Sequence, residues 1–277
     1  MPISCAVASI TLDELATELL PAHVVIAIDE VDIEYVLWKR RRSMNADLDR
    51  AALPATPPAT EQTLPVVVFG DTVIPPVLPI VVQGDRVMRP RASIRFVGIR
   101  PGRSYRAIQA ARDSGHEVLV CFVPEREIAS YKGSEAQQLP TVGVIARLEE
   151  VVAQPDGALE IGLDVTTRAI VTGRLQHDPC YWATCVPHPD PEVTSDEIPV
   201  LMAAVKAQAE AILRTLSYLT PEQVEEVLTF MNQIDHPGEL ADVLTYSPTF
   251  TFTDKIAILN TLDPLERLRL VQRTLGA

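Results

Sequence analysis

The stretch TVGVIARLEEVVAQPDGALEIGLDVTTRAIV, residues 141–171, decides how the chain reads. Two runs rich in β-branched residues, Thr141 to Val152 and Ala158 to Val171, flank Gln154-Pro155-Asp156-Gly157. Proline and Asp-Gly between two such runs predict a β-hairpin, because proline presets one turn dihedral and glycine accepts the left-handed one.

Strand patterns continue on both sides of it. Upstream, Val66 to Phe69, Pro76 to Val82 and Ser93 to Val97 are short runs bounded by Gly and Pro. Pro101 to Ser114 reads as a helix stopped by Gly115, and Glu117 to Val123 as a buried strand. Downstream, Tyr181 to Val186 is one more strand, with Tyr181, Ala183 and Cys185 on one face and Trp182, Thr184 and Val186 on the other. Short strands with few intervening helices predict a mostly antiparallel barrel or sandwich.

From Thr194 the period becomes helical. Ile198, Leu201, Val205, Ala209, Ile212, Leu216 and Leu219 make one stripe, opened by a capping box Thr194-x-x-Glu197. Thr220-Pro221-Glu222-Gln223 caps the next helix, with Val224, Val227, Leu228 and Met231 inward. Asp235-His236-Pro237-Gly238 breaks it. Leu240, Val243 and Leu244, then Ile256 and Leu259, then Leu268, Val271 and Leu275 mark three further helices. Stripes this narrow are stable only when packed together.

At the other end, residues 1–50 read as a helical extension. Thr11-x-x-Glu14 is a capping box before Leu12, Leu15 and Leu19. Asp29 to Met44 is a second helix, acidic at its start and ending in Lys39-Arg40-Arg41-Arg42, the order a helix dipole favours. Residues 51–63, rich in Ala, Pro and Thr, read as a linker. The expected organisation is therefore extension 1–50, linker 51–63, β subdomain 64–190 and helical subdomain 194–277.

Composition narrows the function. The net charge of −13 gives a field that repels nucleic acid and anionic membranes. No apolar run reaches the roughly 20 residues of a spanning helix, and Met1 to Ile10 has no basic stretch of a secretory signal. Four cysteines in 277 residues do not make a disulfide framework, so reduced thiols in a cytoplasmic protein are expected. There is no phosphate-binding G-x-x-x-x-G-K-[ST] loop, no G-x-S-x-G elbow and no H-E-x-x-H helix, and no catalytic residue or cofactor is assigned.

Two clusters have the residue types of a site. His177, Cys180, Cys185 and His188 are the types that bind zinc. The two cysteines, however, are an odd number of positions apart and face opposite ways along a strand, so no metal is assigned to them. Residues 61–115 carry about +4, concentrated in Arg86, Arg89, Arg91, Arg95, Arg100, Arg103, Arg106 and Arg112. These read either as a solvated face or as a contact surface, whose partner-binding candidates are Arg86, Arg89, Arg91, Arg95 and Phe96.

Several pieces, in order, resemble the Lon protease N-terminal domain family. They are Leu64-Pro65, Pro79-Ile80, Arg103 to Ile108, Val142-Gly143-x-x-Ala146-Arg147, Pro155-Asp156-Gly157, Gly162-Leu163 and Arg168-Ala169. Asp235-x-Pro237-Gly238-x-Leu240-Ala241-Asp242 and Leu262-Asp263-x-x-x-Arg267-Leu268 complete the series. The resemblance implies an α+β fold, a PUA-like antiparallel β-barrel followed by a helical bundle. It implies a non-catalytic module that recognises unfolded or tagged proteins, or an ATP-dependent protease partner. The family's ATPase and Ser-Lys peptidase modules are not in these residues, and the chain stops where the family's long connecting helix would begin. Residues 1–60 and an insertion at about Val81 to Gly98 have no counterpart in the resemblance. The alternatives are a piece of a complete ATP-dependent protease, and an RNA-binding PUA-like protein using the arginine segment.

Overall fold

The computed structural model describes residues 60–83, 86–88, 94–128, 131, 139–176 and 179–276. The expected helices within residues 1–50 lie outside these residues, as does most of the expected linker. The first strand, β1 (Gln62–Gly70), begins two residues before Leu64. A small hairpin follows, β2 (Val81–Gln83) and β3 (Arg86–Met88). Then come β4 (Ile94–Ile99), helix α1 (Arg103–Asp113), β5 (Glu117–Val123), the short α2 (Glu125–Ile128), β6 (Val142–Ala153), β7 (Leu159–Gln176) and β8 (Trp182–His188). The helical half is α3 (Ile198–Leu213), α4 (Pro221–Asn232), α5 (Pro237–Thr245), α6 (Phe252–Asn260) and α7 (Pro264–Leu275).

The predicted hairpin is β6–β7. It turns at Gly157, whose φ of 82° suits a residue without a side chain. Strand β7 is the backbone of the sheet: it pairs with β4, β6 and β8, all antiparallel. Because β8 also pairs with β1, the order β7-β6-β5-β1-β8 returns to β7. One pairing departs from the expected antiparallel arrangement. β1 and β5 run parallel, from Val66 opposite Leu119 to Gly70 opposite Val123. Parallel neighbours need a crossover, and α1 lies on it, burying Ala107, Ile108 and Ala111. Ser104 pins the start of that helix to β1, its Oγ accepting from the Val68 amide at 3.1 Å.

Residues from all five strands of the ring fill one buried cluster. Val66, Leu119, Ile145, Ala169, Ala183 and Cys185 belong to it, together with Cys121. Leu64, Leu139, Tyr131 and Tyr181 add larger side chains to it. As read from the alternation, Ala183 and Cys185 are buried while Trp182, Thr184 and Val186 are only partly so. Burial pushes the Cys121 thiol up to about 12, with the neighbouring Cys185 adding to it. Cys185 rises to about 11, again chiefly through burial, then through Glu117 and Glu61. A thiol whose folded pKa lies above its unfolded value stabilises the fold below the unfolded value and loses that contribution as pH climbs through the folded one. Unfolding stability should therefore fall between pH 9 and about 12. In native protein at pH 8, the Cys121 and Cys185 thiols should resist a disulfide reagent that labels them once urea unfolds the chain.

In the helical half, Thr220 and Gln223 form the expected capping box, and Thr251 with Asp254 forms another. The box expected at Thr194 is not made. α3 starts one residue after Glu197, whose carboxylate pairs with Arg269 of α7 instead of turning back onto its own helix. Val205, Met231, Leu240, Ile258, Leu268 and Val271 form the bundle core. The hairpin β2–β3 packs on this half, through Val82 and Val87.

Candidate functional site

Two depressions are formed where the halves meet. The first is an apolar groove. Its walls come from α3 and the turn after it (Ile212, Leu216, Leu219), from α4 (Val227), and from the segment ending in β2 (Ile80, Val82). It encloses about 760 Å³, counting the space open to solvent. Ile212, Leu216 and Leu219 continue the stripe of Val205 and Ala209, but they are only half-buried, since the hairpin does not cover them fully. Tyr246 closes one side. Its hydroxyl donates to the Val77 carbonyl at 2.8 Å, and burial, with Asp242 nearby, holds its pKa well above the usual phenol value. Tyr218, beside the groove-lining Leu216 and Leu219, is 42% exposed, a large amphipathic side chain left at the surface.

The second is a polar cleft of about 560 Å³ beside a buried ionic network. Arg168 (β7) and Arg267 (α7) are 1% and 0% exposed, and Asp242 (α5) is 1% exposed. Arg168 donates from both terminal nitrogens to the two Asp242 oxygens, at 2.8 and 2.5 Å, and from Nε to the Leu259 carbonyl at 3.0 Å. Arg267 lies 3.4 Å from Asp242 through Nε, donates to Thr261 O at 3.3 Å, and makes a short hydrogen bond to Asp190. Asp190, in the connector after β8, is also 3.8 Å from Arg168. Two guanidinium groups are thus held together by two carboxylates, one from the connector and one from α5. Burial pulls the Arg267 pKa down, offset in part by Asp242. A guanidinium remains charged under any ordinary condition, so both arginines keep their charge in the network. It joins the sheet to the bundle. Charged pairs of this kind contribute little net stability over an apolar pair but cost several kcal/mol when half-removed.

The zinc-type residues are not gathered into a site. Cys180 and Cys185 are both buried, yet they belong to different clusters, one shared with α1 and one inside the ring of strands. His188 lines the polar cleft, and His177 lies outside the described residues. Among the described residues no group of three metal-ligating side chains occurs. Of the partner-binding candidates, Arg86 is on β3 opposite Gln83 and Arg95 on β4 opposite Gly162. Arg89 and Arg91 lie outside the described residues. Phe96 stacks on Phe69 with ring centroids 4.7 Å apart and packs against the sheet core, so part of its surface is used internally. Arg103 is likewise engaged, over the Tyr181 ring at 4.8 Å.

Sequence reading missed the network and the groove. Asp190 carried one visible signal, a charged residue inside the proline-stiffened run His188-Pro189-Asp190-Pro191. The stretches that the fold brings together here, Arg168-Ala169, Asp235 to Asp242 and Leu262 to Leu268, are also the ones that carry the family resemblance. The family model of the ATP-dependent protease La (LON) substrate-binding domain matches residues 63–276. The chain belongs to this family. A Lon protease of Chloroflexus aggregans is 37% identical to it over 218 residues, 79% of this chain and 24% of that protein. A Lon protease of Chloroflexus aurantiacus is 34% identical over 163 residues, 59% of this chain and 19% of the relative. The LON substrate-binding domain thus spans about a quarter or less of the length of these relatives. Among solved structures, the N-terminal domain of a Mycobacterium avium complex Lon protease superposes with a TM-score of 0.57 at 23% identity, covering 78% of this chain and 98% of that one, which supports the fold. The matched family model is that of a substrate-binding domain. No described helix is long and apolar enough to cross a membrane.

Proposed function

We propose that this LON substrate-binding domain recognises unfolded or tagged proteins through the apolar groove, without catalysing a reaction, and delivers them to an ATP-dependent protease in the cytoplasm. The observation that carries the reading is the groove itself: half-exposed Ile80, Val82, Ile212, Leu216 and Leu219 converge on one concave surface. Apolar area left open in this way gains by covering the aliphatic side chains that an unfolded chain exposes. The returning order of strands is read as a PUA-like barrel, a rigid base against which the groove is held. Arg86, Arg89, Arg91 and Arg95 are proposed to meet acidic parts of a partner.

The test is binding of a labelled, permanently unfolded protein such as a reduced, carboxymethylated lactalbumin. Leu216→Glu is expected to weaken binding at least tenfold, since a carboxylate in the groove must be desolvated. Leu216 is half-exposed, so the melting temperature should move by only a few degrees. Equal affinity of the two proteins would remove the groove from the function. A second reading is favoured by the relatives' length: these residues would serve as the recognition part of a complete ATP-dependent protease. Degradation of the same probe by such an assembly, lost with Leu216→Glu, is its expected result.

A further inference from the structure

The hairpin β2–β3 stands apart from the main sheet, and among the described residues its two strands pair only with each other. Its register sets Val82 opposite Val87 and Gln83 opposite Arg86. In an antiparallel pair, opposed residues alternate: one pair exchanges main-chain hydrogen bonds, and the next turns those groups outward. The Val87 amide donates to Glu226 Oε2 of α4 at 3.3 Å, so it points away from β2. Val82 and Val87 are therefore an outward-turned pair. The Val82 amide and carbonyl face the far edge of β2, and among the described residues nothing bonds to them there. The edge of β3 is thus closed by a carboxylate of α4, and the edge of β2 is open. An open strand edge is a template for one more strand.

This edge belongs to a wall of the groove. Val82 and Val87 lay one face of the hairpin on the bundle, and Ile80 and Val82 both line the groove. We propose that an extended segment of an unfolded protein joins the edge of β2 as a third strand. Its main chain bonds to Val82, and its alternate side chains enter the groove beside Ile212, Leu216 and Leu219. This rests on the groove reading above and adds the form in which the substrate binds. Main-chain bonding accepts almost any sequence, because every residue but proline carries the same donor and acceptor. The groove then selects apolar residues at every second position, since only alternate side chains of a strand share a face. No lining side chain is charged, and residues 194–277 hold twelve acidic against six basic residues. The segment laid on the bundle is therefore apolar or basic where it faces the helices. A helical segment is refused, because its main chain is already satisfied internally.

The test uses the full chain and a short capped peptide of alternating leucine and threonine with a lysine at each end. The peptide should bind, and Leu216→Glu should weaken it at least tenfold. Two further peptides carry N-methyl groups, one on the leucine amides and one on the threonine amides. One of them should lose about tenfold or more, and the other should bind like the parent, because alternate amides of a strand face opposite edges. Loss with the leucine set marks antiparallel pairing, and loss with the threonine set marks parallel pairing. Saturating peptide should also slow hydrogen exchange of the Val82 amide at least tenfold. Equal affinity of the two methylated peptides, or unchanged exchange at Val82, overturns the strand pairing; the groove function stands if Leu216→Glu still weakens binding. A peptide that fails to bind where the carboxymethylated lactalbumin does also overturns the pairing. Binding of both probes that Leu216→Glu leaves unchanged, or failure of both to bind, removes the groove function and the pairing with it.

Discussion

Asp242→Ala should destabilise the protein by about 3–5 kcal/mol, the range found when one partner of a buried ion pair is removed. The substitution deletes the carboxylate that accepts both Arg168 hydrogen bonds and lies 3.4 Å from Arg267. Two guanidinium groups would then remain buried with only Asp190, and Arg168 reaches Asp190 no closer than 3.8 Å. At 2–4 °C per kcal/mol for a protein of this size, the melting temperature should fall by about 10 °C. Asp242→Asn keeps the shape and one acceptor but not the charge, so its loss should be nearly as large. Chemical denaturation of the three proteins measures this. A loss below about 1 kcal/mol for Asp242→Ala would mean that water satisfies the arginines and that the network does not join the two halves.

Gly238→Ala is the second large effect, and here two rules oppose each other. Gly238 sits in the first turn of α5, and alanine normally stabilises a helix by up to about 1 kcal/mol over glycine. A methyl group at this position, however, would overlap Asp190 Oδ2, stand 2.5 Å from Arg267 Nη2 and 3.1 Å from Pro264 Cβ. The first two atoms belong to the short hydrogen bond of the network, and withdrawing either side chain breaks it, leaving Arg267 the 3.4 Å contact to Asp242 and Asp190 the 3.8 Å contact to Arg168. Overpacking of this kind costs about 1–3 kcal/mol before any ionic loss is added, so the net effect should be destabilising by roughly 2–4 kcal/mol. Combining it with Asp242→Ala should give less than the sum, because both act on one network. A stabilised Gly238→Ala protein would show that α5 can shift away from Asp190 at little cost.

Much of the fold was legible because its signals are local. Gln154 to Gly157 specified a hairpin through turn chemistry, and Thr220 to Gln223 specified a helix start through four consecutive residues. The box at Thr194 failed because a distant group, Arg269, competes for the Glu197 carboxylate. The parallel pairing of β1 with β5 has no local sign at all, since alternation reports which face is buried and not which way a neighbour runs. Arg168 in β7 looks like any polar strand residue until α5, 74 positions later, supplies Asp242. The groove was hidden for a different reason. Leu216 and Leu219 share the period of Val205 and Ala209, and periodicity cannot tell a core position from an uncovered one.

The placement of β1 also bears on how the protein is made. Its hydrogen bonds go to β5 on one side and to Trp182 through Cys185 of β8 on the other, so its second edge stays open until the ribosome has released roughly 120 further residues. At 5–20 residues per second that wait lasts about 6 to 24 s, with Leu64, Val66 and Val68 available to any passing strand. Nascent chains halted before Trp182 should therefore depend on chaperone holding, and chains halted after His188 should not.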